Sequence, residues 1–201
     1  MKLYDFVKSG NCYKVRLLLS ILAKDYQKIP VDLKGGETSS EEFLKINPNG
    51  FVPVLVDGET TISDSAAILT YLARTYADVN WLPDDALQLS SVVRWLAFEQ
   101  SEGRYGLARA RIIALKTPSL LAQTGTLEES QSIAELALQT LDKHLQQNQW
   151  LAGGEQPSIA DIACYPYVAL SHEGGISREP YVEVRRWMQQ IETLPGYIAL
   201  P

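Results

Sequence analysis

The side chains best suited to sulfur chemistry lie together near the start of the chain, in Ser9-Gly10-Asn11-Cys12. They precede a helical period in which Val15, Leu18, Leu19 and Leu22 recur at i, i+3, i+4 and i+7. The first N–H groups of a helix have no intrahelical acceptor, so a hydroxyl at its start and those amides can converge on one anion. A thiolate is such an anion. A free thiol has a pKa of about 8.5, and lowering it by ~2 units means favouring the charged form by roughly 2.7 kcal/mol. A hydroxyl donor and a helix N-terminus together supply energy on that scale. Ser9 is therefore a candidate thiolate stabiliser, and its plainer role is a turn or cap. Asn11 has donor and acceptor groups and can contact the same sulfur or cap the helix. Cys12 offers a thiol of its own. The run has the spacing of a C-x-x-C redox site with serine replacing the attacking cysteine, and Cys12 takes the second position, where a cysteine can simply pack as a small apolar residue.

The elements around this run alternate. Leu3-Tyr4-Asp5-Phe6 reads as a short strand, Lys8 to Asn11 as a turn, and Cys12 to Lys24 as a helix. Ile29, Val31 and Leu33 alternate with Lys28 and Asp32, a strand period, and Pro30 puts that strand at an edge. Glu41 to Ile46 reads as a short helix ending before Asn47-Pro48. Val52 to Val56 is an apolar strand, Asp57-Gly58 a hairpin turn, and Glu59 to Ile62 the return strand. Ser63 or Asp64 can cap a following helix whose face carries Ser65, Ile68, Leu69 and Leu72. The order β-α-β-α-β-β-α makes a small mixed sheet with helices on its faces.

After a polar linker from Asp78, the chain is helical by period. Leu89, Val92, Val93 and Leu96 share a face, as do Ala134, Ala137, Leu138, Leu141 and Leu145, and Val184, Trp187, Met188 and Ile191. Ser158 to Asp161 reads as a capping box, Pro166 as a kink or break inside the helix it starts, and Pro180 as a first-turn residue of the last long helix. A helical bundle buries these stripes.

Composition narrows the function. The 201 residues are 46% hydrophobic and 21% charged, as in a globular protein. A net charge of -6 argues against nucleic acid as partner. No apolar run is long enough to span a membrane, and the two distant cysteines, Cys12 and Cys164, suit a reducing, cytoplasmic setting. His144 and His172 have no metal-ligand partner nearby, so no metal site is expected.

Several segments resemble one family. Ser9-Gly10-Asn11-Cys12-Tyr13-Lys14-Val15-Arg16 is similar to the active-site segment of glutathione S-transferases. Phe43 to Leu55 resembles their NPxGxVPxL segment, and Ile62 to Ile68 their glutamyl-binding turn. Trp150-Leu151-Ala152-Gly153 with Ser158-Ile159-Ala160-Asp161 resembles their C-terminal folding signature. The motifs stand in the family's order over nearly the whole chain, and the closest type is a bacterial, theta- or beta-like cytosolic transferase. The resemblance implies an α/β plus all-α fold. A thioredoxin-like, glutathione-binding domain (βαβαββα) would take residues 1–77, a linker 78–86, and an all-helical C-terminal domain 87–201.

It also implies site residues. Ser9, Asn11 and Cys12 would handle the thiol. Val52, before a cis Pro53, would present its backbone to the cysteinyl part of glutathione, and Asp64 and Ser65 would hold the γ-glutamyl end. Where related sequences often carry a histidine, this chain has Thr38, so Thr38 and Lys34 are the candidates for the glycyl carboxylate. A second substrate would meet the stretch Glu102 to Arg111, with Tyr105 and Arg109 four residues apart; Gly103 and Gly106 hint at a bend there, and the plainer reading is a solvated basic face.

The implied activity uses glutathione as co-substrate, with no tightly bound cofactor, against a small electrophile or peroxide, or in disulfide reduction. Two alternatives keep the fold: a non-catalytic binding or regulatory protein, and a thiol–disulfide oxidoreductase without a specific glutathione site. A homodimer is implied, with Trp95 and Phe98 able to add apolar surface.

Overall fold

Alternation in Lys2–Asp5 buries Leu3 and Asp5 and builds the first strand, β1, of a four-stranded sheet. The computed structural model describes residues 1–77, 81–117 and 119–201. The chain divides into two units, residues 1–79 with 194–201, and residues 80–193.

In the first unit β1 is followed by α1 (Gly10–Ile21), β2 (Gln27–Pro30), α2 (Glu41–Ile46), β3 (Val54–Asp57), β4 (Thr60–Ser63) and α3 (Ser65–Tyr76). The sheet order is β2-β1-β3-β4, with β1 and β2 parallel and the other pairs antiparallel. Pro30 sits on the edge strand, where its missing N–H leaves no ladder bond unmade. Gly58, at φ +59°, makes the β3–β4 turn. Tyr71 and Tyr76 of α3 both donate to the Asp57 carboxylate at the end of β3, which lowers the pKa of that carboxyl and fastens helix to sheet. Arg16 and Asp5 form a buried ion pair joining α1 to β1.

Residues 194–201 return to this unit. Gly196, at φ +82°, lies so close to α1 that a Cβ there would stand 2.6 Å from the carbonyl oxygen of Ser20. The Tyr13 hydroxyl donates to the carbonyl of Ile198 at 2.6 Å.

The second unit has no strand among the described residues. It contains α4 (Ala86–Phe98), a π-helical stretch (Glu99–Ala108), α5 (Arg109–Ala114), α6 (Leu127–Leu145), α7 (Ile159–Ala169) and α8 (Val182–Glu192). The stripes read for α6 and α8 are buried throughout. Ser158 and Asp161 form the expected capping box. Asp161 is wholly buried and accepts from the N–H groups of Leu151 and Ser158, the Ser158 hydroxyl and Trp187 Nε1.

Several expectations shift. On α4 the buried positions are Val92 and Trp95, while Val93 is exposed; the inward face runs i, i+3 towards the π-helical stretch. Trp95 is core, packed edge to face on Phe98 and His144, so it offers no outer apolar surface. α7 runs unbroken past Pro166, whose neighbours Ala163, Cys164, Tyr165 and Val168 are all buried, so packing outweighs the lost backbone bond. Pro180 precedes α8 rather than occupying its first turn. Of the polar linker, Asp78 to Asn80 lie outside the described residues, but Trp81 and Leu82 are buried and the Trp81 carbonyl accepts from Ile159 N–H at 2.9 Å.

Candidate functional site

The register of the sheet gathers at one end the segments expected to handle sulfur and to hold a glutamyl group. β1 ends at Asp5 opposite Pro30 of the parallel β2, and Tyr4 pairs with Val54, the first residue of β3. Val54 in turn pairs with Ser63, the last residue of β4. The chain therefore leaves β1 towards Ser9, leaves β2 towards Lys34 and Thr38, enters β3 through Val52 and Pro53, and leaves β4 towards Asp64 and Ser65, all at the same end of the sheet.

Ser9 is the N-cap of α1, in extended conformation, and its Oγ accepts the Cys12 N–H at 3.2 Å. A hydroxyl accepts with its lone pairs and donates its one hydrogen, so the cap does not consume the O–H, which also has the Cys12 thiol within reach. Capping and donation to an incoming sulfur are thus compatible. Cys12 is fully buried, its sulfur accepting the Phe6 N–H at 3.4 Å, and burial pushes its thiol pKa up to about 11. It is held as a neutral thiol inside the domain. Asn11, half-buried in the first turn, accepts a hydrogen bond at Oδ1 from Lys14 Nζ at 2.8 Å.

The Val52–Pro53 bond is cis. The turn before it is organised by Asn47, buried, which donates from Nδ2 to the Phe51 carbonyl at 2.7 Å and accepts the Asn49 N–H at 3.1 Å. Gly50, at φ +68°, lets that turn pass 3.1 Å (for a Cβ) from the Thr38 carbonyl oxygen, which ties the Thr38 loop to the cis-proline loop. Thr38 lies in a 3-10 turn, Glu37–Ser39, and Lys34 is exposed in the loop before it. Asp32 Oδ1 accepts the N–H groups of Lys34 and Gly35, shaping that loop.

Asp64 is the N-cap of α3 at φ +76°, a conformation rarely adopted by non-glycine residues and concentrated at functional sites. Its Oδ1 accepts the N–H groups of Ala66 and Ala67. Ser65, 2% exposed, opens α3, and its Oγ has no hydrogen-bond partner among the described residues. A buried hydroxyl left unpaired costs about 1–3 kcal/mol.

The second-substrate pair separates. Tyr105 is 41% exposed, whereas Arg109 is buried. Arg109 donates from Nε to Ser130 Oγ at 2.7 Å and from Nη1 to the Thr124 carbonyl at 3.1 Å, so its guanidinium braces α5 against the start of α6. It also lies 5.6 Å from the Tyr105 ring centroid. The predicted bend at Gly103 and Gly106 is a π-helical stretch, and Gly106 abuts the Ala134 backbone of α6. His144 and His172 bond backbone carbonyls of Leu151 and Ala169, and no group of three metal-ligating side chains occurs among the described residues.

Sequence reasoning passed over Asn47 and Lys14. The buried Lys14 had a usable signal, its i, i+3 spacing from Asn11. Asn47 had none beyond standing before a proline.

The family models agree with this geometry. The glutathione S-transferase N-terminal domain model matches residues 1–74, and the C-terminal domain model matches residues 124–190. A crystal structure of a glutathione S-transferase from Pseudomonas fluorescens is 34% identical, superposes with a TM-score of 0.89, and is matched over 99% of this chain and 98% of that one. The disulfide-bond oxidoreductase YfcG of Escherichia coli is 30% identical over 95% of this chain and 90% of its own. Glutathione S-transferase Z2 of Arabidopsis thaliana is 29% identical over 98% and 88%. With its thioredoxin-like unit and helical unit, the chain belongs to the glutathione S-transferase family.

Proposed function

We propose that this protein binds glutathione at the end of its sheet and activates the thiol as a thiolate for attack on a small electrophile. The observation that carries this reading is the orphaned Ser65 Oγ: a buried, unpaired hydroxyl at a helix N-terminus, suited to a γ-glutamyl carboxylate. The unused edge of Asp64 suits the neighbouring ammonium, Val52 the cysteinyl backbone, and Lys34 and Thr38 the glycyl carboxylate. Ser9 donates its hydroxyl hydrogen to the sulfur, with Asn11 beside it, and the first turn of α1 favours the negative charge. In conjugation the thiolate forms the new C–S bond and the leaving group departs with its electron pair. Tyr105 is proposed as the second-substrate contact, and Arg109 as the cation that steadies its ring.

Disulfide reduction is the second reading, favoured by the near full-length similarity to YfcG, whose name records that activity. The same thiolate serves it, displacing one thiolate from a disulfide, and a second glutathione then releases the mixed disulfide. The buried, high-pKa Cys12 favours glutathione over Cys12 as the attacking sulfur in both readings. A homodimer is proposed in the cytoplasm, with the 62% exposed Phe51 and, on the second unit, Leu87 at 76% as apolar contacts.

The test is calorimetric titration with glutathione. Ser65→Ala should weaken binding by about 1–3 kcal/mol, the range for a hydrogen bond to a charged group. Unchanged affinity would place the glutamyl site elsewhere.

A further inference from the structure

We propose that Arg104 selects a second substrate that carries a carboxylate on a planar, unsaturated framework. The inference rests on the reading of Tyr105 as the second-substrate contact, and it names the class of electrophile that this contact serves.

The stretch Glu99–Ala108 winds as a π-helix, a form that is rare beyond a single turn and recurs at functional sites. Within it Tyr105 is exposed, and its ring meets two guanidinium groups. Arg104 Cζ lies 5.7 Å from the ring centroid and Arg109 Cζ 5.6 Å, both inside the range of a cation–π contact. The two cations stand in different circumstances. Arg109 is buried and donates to Ser130 and the Thr124 carbonyl, so it holds the ring from inside the helical unit. Arg104 is exposed, and its guanidinium N–H groups meet no acceptor among the described residues. Carboxylates close by in sequence or in space are engaged elsewhere: Glu102 accepts from the Ser101 hydroxyl, and Glu129, which feels the charge of Arg109, closes the capping box of α6.

Ring and fork together define what this spot recognises. The face of a tyrosine ring is an apolar plane on which another plane stacks. A guanidinium is a planar fork whose parallel N–H groups match the two oxygens of a carboxylate. Side by side, they fit a molecule in which a carboxylate adjoins a flat apolar framework, an aromatic or conjugated acid. The chain as a whole carries a net charge of -6, which repels such an anion, so selection needs an unpaired cation at the contact itself. An uncharged electrophile gains the ring and leaves the fork unused. The bond-making step is that of the glutathione reading. The thiol proton passes to solvent, the thiolate forms the C–S bond, and a halide on the attacked carbon departs with its electron pair.

The experiment compares kcat/KM for a chloronitrobenzoate and for its uncharged carboxamide, each divided by its rate with glutathione alone to remove the difference in intrinsic reactivity. The wild type should favour the benzoate by about tenfold, the scale of a forked hydrogen bond between charged groups. Added salt should shrink that ratio, because Arg104 is exposed. Arg104→Met should bring the ratio near one, chiefly through KM for the benzoate, and Arg104→Glu should invert it. Arg104→Lys, which keeps the charge and loses the fork, should retain part of it. Tyr105→Leu should lower turnover of both halides. A wild-type ratio of one or less, a ratio indifferent to salt, or an unchanged ratio in Arg104→Met overturns the proposal. So does inertness towards both halides in a protein that binds glutathione and forms its thiolate. Wild-type turnover of both halides by Tyr105→Leu removes the second-substrate reading on which the proposal rests, whereas failure to bind glutathione at all removes the glutathione reading.

Discussion

At the residue scale the proposed division of labour between Ser9 and Cys12 rests on burial and hydrogen bonding. Ser9 caps α1 with its lone pair and keeps its hydrogen, while Cys12 is enclosed with its thiol pushed up to about 11. Ser9→Ala should raise the pKa of bound glutathione and lower kcat/KM near neutral pH by roughly 10- to 100-fold, about 1.4–2.7 kcal/mol. The deficit should shrink at high pH, where the thiolate forms unaided. A pH–rate profile checks this, and an equal deficit at every pH would assign Ser9 a purely structural role. Cys12 should resist alkylation by a small maleimide at neutral pH until the protein is unfolded, as intact mass would show; rapid labelling of the folded protein would reopen Cys12 as the reacting group. The types and spacing of Ser9, Asn11, Asp64 and Ser65 were legible because capping and anion binding use the same residues at helix starts. The task of Arg109 was not, since its partners Ser130 and Thr124 are 21 and 15 residues away in sequence.

Elements were read well where one face is buried against one neighbour, as in α6 and α8, and less well where local rules met tertiary packing. Pro166 inside an unbroken α7 and the buried Trp81 in a supposed linker are two such places. The glycines of the π-helical stretch divide cleanly. A Cβ at Gly106 would sit 2.7 Å from the Ala134 backbone nitrogen, whereas at Gly103 the nearest atom is Glu99 Cγ at 3.6 Å, an ordinary contact. Gly106→Ala should therefore destabilise by about 1–3 kcal/mol through overpacking, and Gly103→Ala should be neutral or gain up to about 1 kcal/mol of helix propensity. Urea unfolding of the two variants checks the contrast. Asp161→Asn is a sharper probe of α7. Each Asp161 oxygen accepts two bonds, from Leu151 N–H and Trp187 Nε1 at one and from the Ser158 N–H and hydroxyl at the other. An amide nitrogen on either side would face donors, so a loss of about 2–4 kcal/mol is expected. A midpoint unmoved by this change would mean the network relaxes at no cost.

At the scale of the whole molecule, the buried thiol links stability to alkaline pH. The Cys12 pKa rises from 9.0 to about 11 on folding, so the folded state holds this proton more tightly. The contribution is complete below about pH 9 and is lost as pH climbs through about 11, amounting to about 3 kcal/mol at about 1.4 kcal/mol per unit. Cys12→Ala should unfold with a correspondingly flatter alkaline limb, and parallel limbs would show that burial of this thiol is not what sets it. Sedimentation at micromolar concentration checks the proposed dimer, with Phe51→Ser expected to shift it towards monomer. The return of residues 194–201 to α1 has a consequence in time. The helix that presents Ser9 is made before the helical unit, yet the segment that clasps it, through Gly196 and the Tyr13–Ile198 bond, is made only after that unit. A ribosome must therefore translate the whole helical unit before the first unit has all its parts, and a nascent chain stalled at residue 190 holds the Ser9 helix still unclasped.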